Sequence, residues 1–143
     1  MKKIIFFILG IAFGLPGFSQ KSTWGGYAYQ RDQNRVQSSY PMVITIEKSG
    51  NNIKGTTYFS FPDDPSVFVK MQYSGFRKND TMYLKEDKIL EATQIQGEWL
   101  MKDFILYSVP EEDGYLYGTW KARSNSISNG TMKLKMSKVI EKK

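Results

Sequence analysis

Neither cysteine nor histidine occurs among the 143 residues. Without cysteine there is no disulfide framework, no thiolate nucleophile and no sulfur ligand. Without histidine the commonest general base and the commonest metal ligand are gone. Ser-His-Asp and Cys-His catalysis are therefore excluded, as is a conventional zinc site. Long hydrophobic runs are also scarce. One apolar stretch, 4–15, follows Lys2 and Lys3 and leads to Gly17-Phe18-Ser19. A charged start, a short apolar core and small residues at the exit are the pattern of a secretory signal peptide. The run is short of the roughly 20 residues that span a bilayer. The expectation is a signal peptide at 1–19 and one domain at 20–143, exported to the periplasm or beyond, with no transmembrane span after cleavage. Loss of Lys2 and Lys3 lowers the formal charge from +6 to +4. With no cysteine after the signal, no lipid anchor is expected.

What the chain does have is alternation. In 42–59, MVITIEKSGNNIKGTTYF, Met42, Ile44 and Ile46 share one face of an extended chain, and Thr45 and Glu47 the other. Gly50-Asn51-Asn52 tolerates the positive φ of a tight reversal. Ile53, Gly55, Thr57 and Phe59 then alternate with Lys54, Thr56 and Tyr58. Gly55 within that pattern suggests a bulge or the close approach of another backbone. A lone hairpin is marginal in water, so further strands must cover its apolar face.

The rest of the chain repeats the device. Strands are expected at 24–30, 42–48, 53–60, 67–76, 81–85, 98–109, 115–122 and 131–137. Polar turns separate them at Arg77-Lys78-Asn79-Asp80 and Pro110-Glu111-Glu112-Asp113-Gly114, with a proline loop at 61–65. The stretch 86–97 reads as a loop or a short helical turn, and 139–143 as a charged tail. An all-β antiparallel meander follows, closed as an eight-stranded up-and-down barrel, with a two-sheet sandwich as the alternative.

Trp24 near the expected mature start, Ile53-Lys54-Gly55-Thr56-Thr57-Tyr58 and Gly118-Thr119-Trp120 resemble the calycin group, the lipocalin and avidin-like barrels. Ser22 stands where the lipocalin Gly-x-Trp has its glycine. The resemblance implies that Trp24 packs at the closed end of the barrel beneath a late basic residue, Arg123 or Lys121. The chain is similar also to small exported Bacteroidetes proteins.

Trp24, Tyr27, Trp99, Tyr117 and Trp120 fall on expected strands, and with Arg123 they form the candidate ligand-binding set. Aromatic walls with phenol and indole groups hold apolar or planar ligands. The alternative is a core filled by those same rings. Asp63-Asp64 and Glu111-Glu112-Asp113 are paired carboxylates of the kind that hydrolyse glycosides, but they lie in turn sequences, and no catalytic residue is assigned. Lys133, Lys135, Lys138, Lys142 and Lys143 make the C-terminal end basic. On an exported barrel they read as a solvated face that discourages edge pairing, not a nucleic-acid site. Asn79-Asp80-Thr81 and Asn129-Gly130-Thr131 fit glycosylation patterns and equally fit turns. The expected function is a non-catalytic carrier of a small apolar or amphipathic ligand, without metal or cofactor. The alternative is an envelope module that binds a protein or polysaccharide through its outer face and the loops 31–39 and 86–97.

Overall fold

The computed structural model describes residues 20–31, 37–124 and 128–141, and among them there is no helix. The expected signal peptide lies outside the described residues, as do most of the 31–39 loop and the last two lysines. No helix among the described residues is long and apolar enough to cross a membrane.

Eight strands follow one another: β1 Gln20–Arg31, β2 Gln37–Ser49, β3 Asn52–Ser60, β4 Phe68–Lys78, β5 Thr81–Ala92, β6 Lys102–Tyr107, β7 Tyr115–Ala122 and β8 Asn129–Glu141. Each pairs antiparallel with the next, and β8 pairs with β1, so the barrel is closed. This is the expected meander, compatible with a calycin-like fold. The β1–β8 ladder joins the two ends of the domain, from Gln20 opposite Glu141 to Gln30 opposite Gly130. Closure leaves no free edge along it.

The alternation places the core. Met42, Ile44, Ile46, Ile53, Val69, Met71, Tyr73, Leu84, Phe104, Leu106 and Leu134 point inward and are at most 2% exposed. The middle of the barrel is thus occupied by side chains. Burial pushes the Tyr73 phenol well up from its ordinary pKa, and its hydroxyl donates to the carbonyl of Thr45 at 2.8 Å. Gly55 makes room for this. A Cβ there would collide with the Thr45 carbonyl oxygen, while the β2–β3 register runs through without a bulge. Of the two readings for Gly55, the close approach is the one found. The turns behave as their residues dictate: Gly50 (φ 60°) and Asn79 (φ 56°) take the left-handed conformation.

Three expectations are corrected. The stretch 86–97 is neither helix nor all loop, because β5 runs on to Ala92. Two irregularities in its pairing with β4, between Lys70 and Met71 and between Gln72 and Tyr73, let it follow the barrel's curvature. Strand β6 begins at Lys102, so Trp99 lies in the connection before it and not on a strand. Strand β8 continues to Glu141, so most of the expected tail is paired. Pro41 is tolerated within β2 because the β2–β3 ladder ends at Met42, one residue short of it.

Candidate functional site

At one mouth of the barrel the ends of β1, β3 and β7 and the starts of β2 and β6 surround a cavity of about 220 Å³. Its apolar wall is Tyr40, Phe59, Phe61, Trp99 and Trp120. The connection 93–101 folds over this mouth and is pinned at both ends. Thr93 donates its N–H to Phe68 and its hydroxyl to Ser66, and Arg123 N–H donates to Met101 at 3.0 Å. Within it the Trp99 indole donates to the carbonyl of Thr93 at 2.9 Å. Phe61 meets Trp99 edge-on, 5.8 Å between centroids, and Tyr40 at 6.2 Å. Such offset and edge-on pairs fix ring orientation better than apolar contact alone.

Lys102 joins the lining, with Glu86 beside it. The β5–β6 ladder ends at Lys85 opposite Asp103, and beyond that pair the two strands part. The backbone groups released there are met by side chains. Lys102 N–H donates to Glu86 Oε2 at 2.8 Å, and the Arg123 guanidinium donates to the Glu86 carbonyl. Glu86 is wholly buried. Its Oε1 accepts from the Thr57 hydroxyl at 2.5 Å, and the Lys102 ammonium stands 3.8 Å from Oε2. Lys102 Nζ also donates to the Leu100 carbonyl at 3.0 Å and lies 4.4 Å over the Phe59 ring. Burial holds the Glu86 carboxyl above its ordinary value. Lys102, Thr57 and Arg123 pull it down without cancelling that rise. Burial lowers the Lys102 ammonium in turn, with Glu86 opposing. The two charges are kept in a site that disfavours both.

The opposite end has a recess of similar size, about 210 Å³, lined by Trp24, Ile46, Lys48, Arg77, Met82 and Leu116 among others. The Trp24 indole donates to Ser22 Oγ at 2.9 Å. Its basic neighbours are Lys48 and Arg77. Arg123 and Lys121, the expected partners, lie at the other end of β7, so that expectation is corrected: β7 runs away from the Trp24 end, with Leu116 near it and Ala122 at the mouth. The Lys48 ammonium is lowered by burial and by the neighbouring Arg77.

The six expected site residues therefore fall in three places. Trp99 and Trp120 converge on the mouth cavity, while Arg123 lies outside its lining, on the Glu86 carbonyl and 3.4 Å from Asp103. Trp24 closes the far end. Tyr27 and Tyr117 are on the outside, because Ala28 and Leu116 take the inner face beside them. Glu86, Lys102 and Thr57 were not among the expected residues. Their signal was phase: Glu86 continues Met82 and Leu84, and Lys102 precedes Phe104 and Leu106, two residues apart in each case. The paired carboxylates do turn work. Asp64 Oδ1 accepts from the Ser66 N–H and hydroxyl, and Glu112 faces Lys133 at 3.8 Å. Comparison with protein-family models and with curated proteins finds no match for this chain.

Proposed function

We propose that the protein is an exported, non-catalytic binding protein, calycin-like in the lipocalin and avidin sense, that holds a small amphipathic ligand at the Trp99 mouth. One observation carries this reading: the 220 Å³ recess combines a wall of five aromatic rings with a single ammonium, that of Lys102. An apolar body fits against Phe59, Phe61, Trp99 and Trp120, and a polar end faces Lys102. The recess is smaller than the roughly 300 Å³ at which pockets for drug-sized ligands begin. With the barrel centre filled, the ligand is either small or enters by one end only.

The test is native mass spectrometry of the protein as purified, joined to titration with anilinonaphthalene sulfonate, an amphipathic anion. The reading expects one equivalent bound, with the affinity lowered roughly tenfold by Trp99→Ala and unchanged by Trp24→Ala. Binding that ignores Trp99 would contradict it.

The second reading is an envelope interaction module that engages a protein or polysaccharide through its outer face. It is favoured by exposed rings on that face: Tyr27, Phe76, Tyr83 and Tyr107 are all more than a third exposed. Scattered apolar residues are ordinary on a surface, but a contiguous aromatic group is not.

A further inference from the structure

The register brings the outward residues of five strands into rows. Tyr83, Ile105, Thr119, Thr131 and Tyr29 are successive partners across β5, β6, β7, β8 and β1. In the neighbouring row Tyr107, Tyr117, Lys133 and Tyr27 are successive partners. Thr119 and Thr131 are the short members of the first row, so the surface sinks between Ile105 and Tyr29. A groove of about 570 Å³ lies there. A second recess of about 270 Å³ against Tyr107 and Tyr117 shares Tyr29, Thr119 and Thr131 with it. The two form one continuous trough on the outside of the barrel.

Its walls are tyrosine rings and Ile105, and its floor is hydroxylated. Tyr107 and Tyr117 stack at 6.4 Å and 26°. The Lys133 ammonium braces that wall, 4.7 Å from the Tyr115 ring and 5.3 Å from that of Tyr117. Thr119 and Thr131 supply hydroxyls to the floor, and Asp103 and Lys121 add a carboxylate and an ammonium in the same groove. The trough adjoins the mouth site at Gln30 and Trp120, which line both. The Trp120 indole points inward and donates to the Tyr29 carbonyl at 3.3 Å, across Gly130, where any Cβ would strike that same oxygen.

We propose that this trough binds a segment of an oligosaccharide chain. The proposal rests on the outer-face reading above and names its ligand class. A sugar ring has an apolar C–H face and a rim of hydroxyls. Flat phenol rings cover the first, and neighbouring hydroxyl, carboxylate and ammonium groups exchange hydrogen bonds with the second. A protein partner or a second copy of the chain would require an apolar centre with a polar rim. Here the order is reversed: the hydroxyls lie in the middle, and the tyrosine rings and Ile105 at the sides. The groove volume lies within the range of small-molecule sites, about 300–1,000 Å³.

The test is a calorimetric and NMR titration of the full chain with hexasaccharides of glucose (α- and β-linked), xylose, mannose, N-acetylglucosamine and galacturonate. At least one is expected to bind more tightly than about 1 mM, with the largest shifts at Thr119 and Thr131. Tyr29→Ala and Tyr117→Ala are each expected to weaken it roughly tenfold. So is Thr119→Gln, which raises the floor at an exposed position without touching the core. Trp99→Ala should leave it unchanged. Failure of every hexasaccharide overturns the saccharide assignment, as does binding that Trp99→Ala abolishes and Thr119→Gln spares. The outer-face reading itself falls if the three trough variants also leave retention of the protein in its host's envelope unaltered.

Discussion

At one end of the barrel Trp24 donates to Ser22 and looks toward Lys48 and Arg77. At the other, Trp99 and Trp120 look toward Lys102, whose carboxylate partner Glu86 is cut off from solvent. The two recesses have nearly the same volume and both combine indole with cation. What separates them is where the countercharge lies. Arg77 has its carboxylate at the surface, in Asp80 at 3.6 Å, with both groups exposed. Lys102 has its carboxylate inside. A surface pair in high dielectric contributes little, whereas a buried one is costly to assemble and costlier to break. Occupancy and protonation can therefore be coupled at the Trp99 mouth in a way that the Trp24 end does not offer.

The largest break in this comparison is expected from Lys102→Met. It leaves the Glu86 carboxylate buried without its cation and should cost about 3–5 kcal/mol at neutral pH by urea unfolding. Arg77→Met at the other end should cost less than about 1 kcal/mol. The pH dependence has a definite sign. Burial raises the folded pKa of Glu86 above its unfolded value. The stability this carboxyl contributes is therefore complete below the unfolded pKa and is lost as pH rises through the folded one. Acidification from neutral toward the ordinary carboxylate range should restore part of what Lys102→Met loses, and Glu86→Gln should flatten that part of the profile.

Thr57→Val keeps the shape of the side chain and removes the hydroxyl that Glu86 accepts. A lost hydrogen bond to a charged group predicts about 2 kcal/mol, read in the same unfolding experiment. Trp99→Ala sharpens the comparison on the binding side. Its effect on anilinonaphthalene sulfonate should be near tenfold, or about 1.4 kcal/mol, and that of Trp24→Ala negligible. The smallest effect is expected from Lys48→Gln, within about 0.5 kcal/mol by thermal melting, because Lys48 is only half-buried and its charged neighbour Arg77 is of like sign.

Much of the barrel could be read from local alternation. Ile44 and Ile46, Met71 and Tyr73, and Met82 and Leu84 declare their inward face, and Gly50 and Asn79 declare their turns. The site was harder to read for three separate reasons. Glu86 is in phase with Leu84, but a carboxylate breaks an apolar pattern and so looks like the end of a strand. Trp99 and Met101 lie ahead of the alternation that Lys102 begins, so the start of β6 is blurred. Tyr27 and Tyr117 look like pocket residues by type alone, but Ala28 and Leu116 beside them take the interior, and phase sends both tyrosines outward. The outer trough depends on register between strands far apart in the chain, Tyr29 with Thr131 above all. No local window contains that pairing.

The most direct test is an NMR titration of the Glu86 side-chain carboxyl. The account predicts a midpoint above the ordinary glutamate value of 4.5, rising further in Lys102→Met. A midpoint at or below that value would show that Lys102, Thr57 and Arg123 outweigh burial, and would contradict the account of this mouth as a site that disfavours both charges.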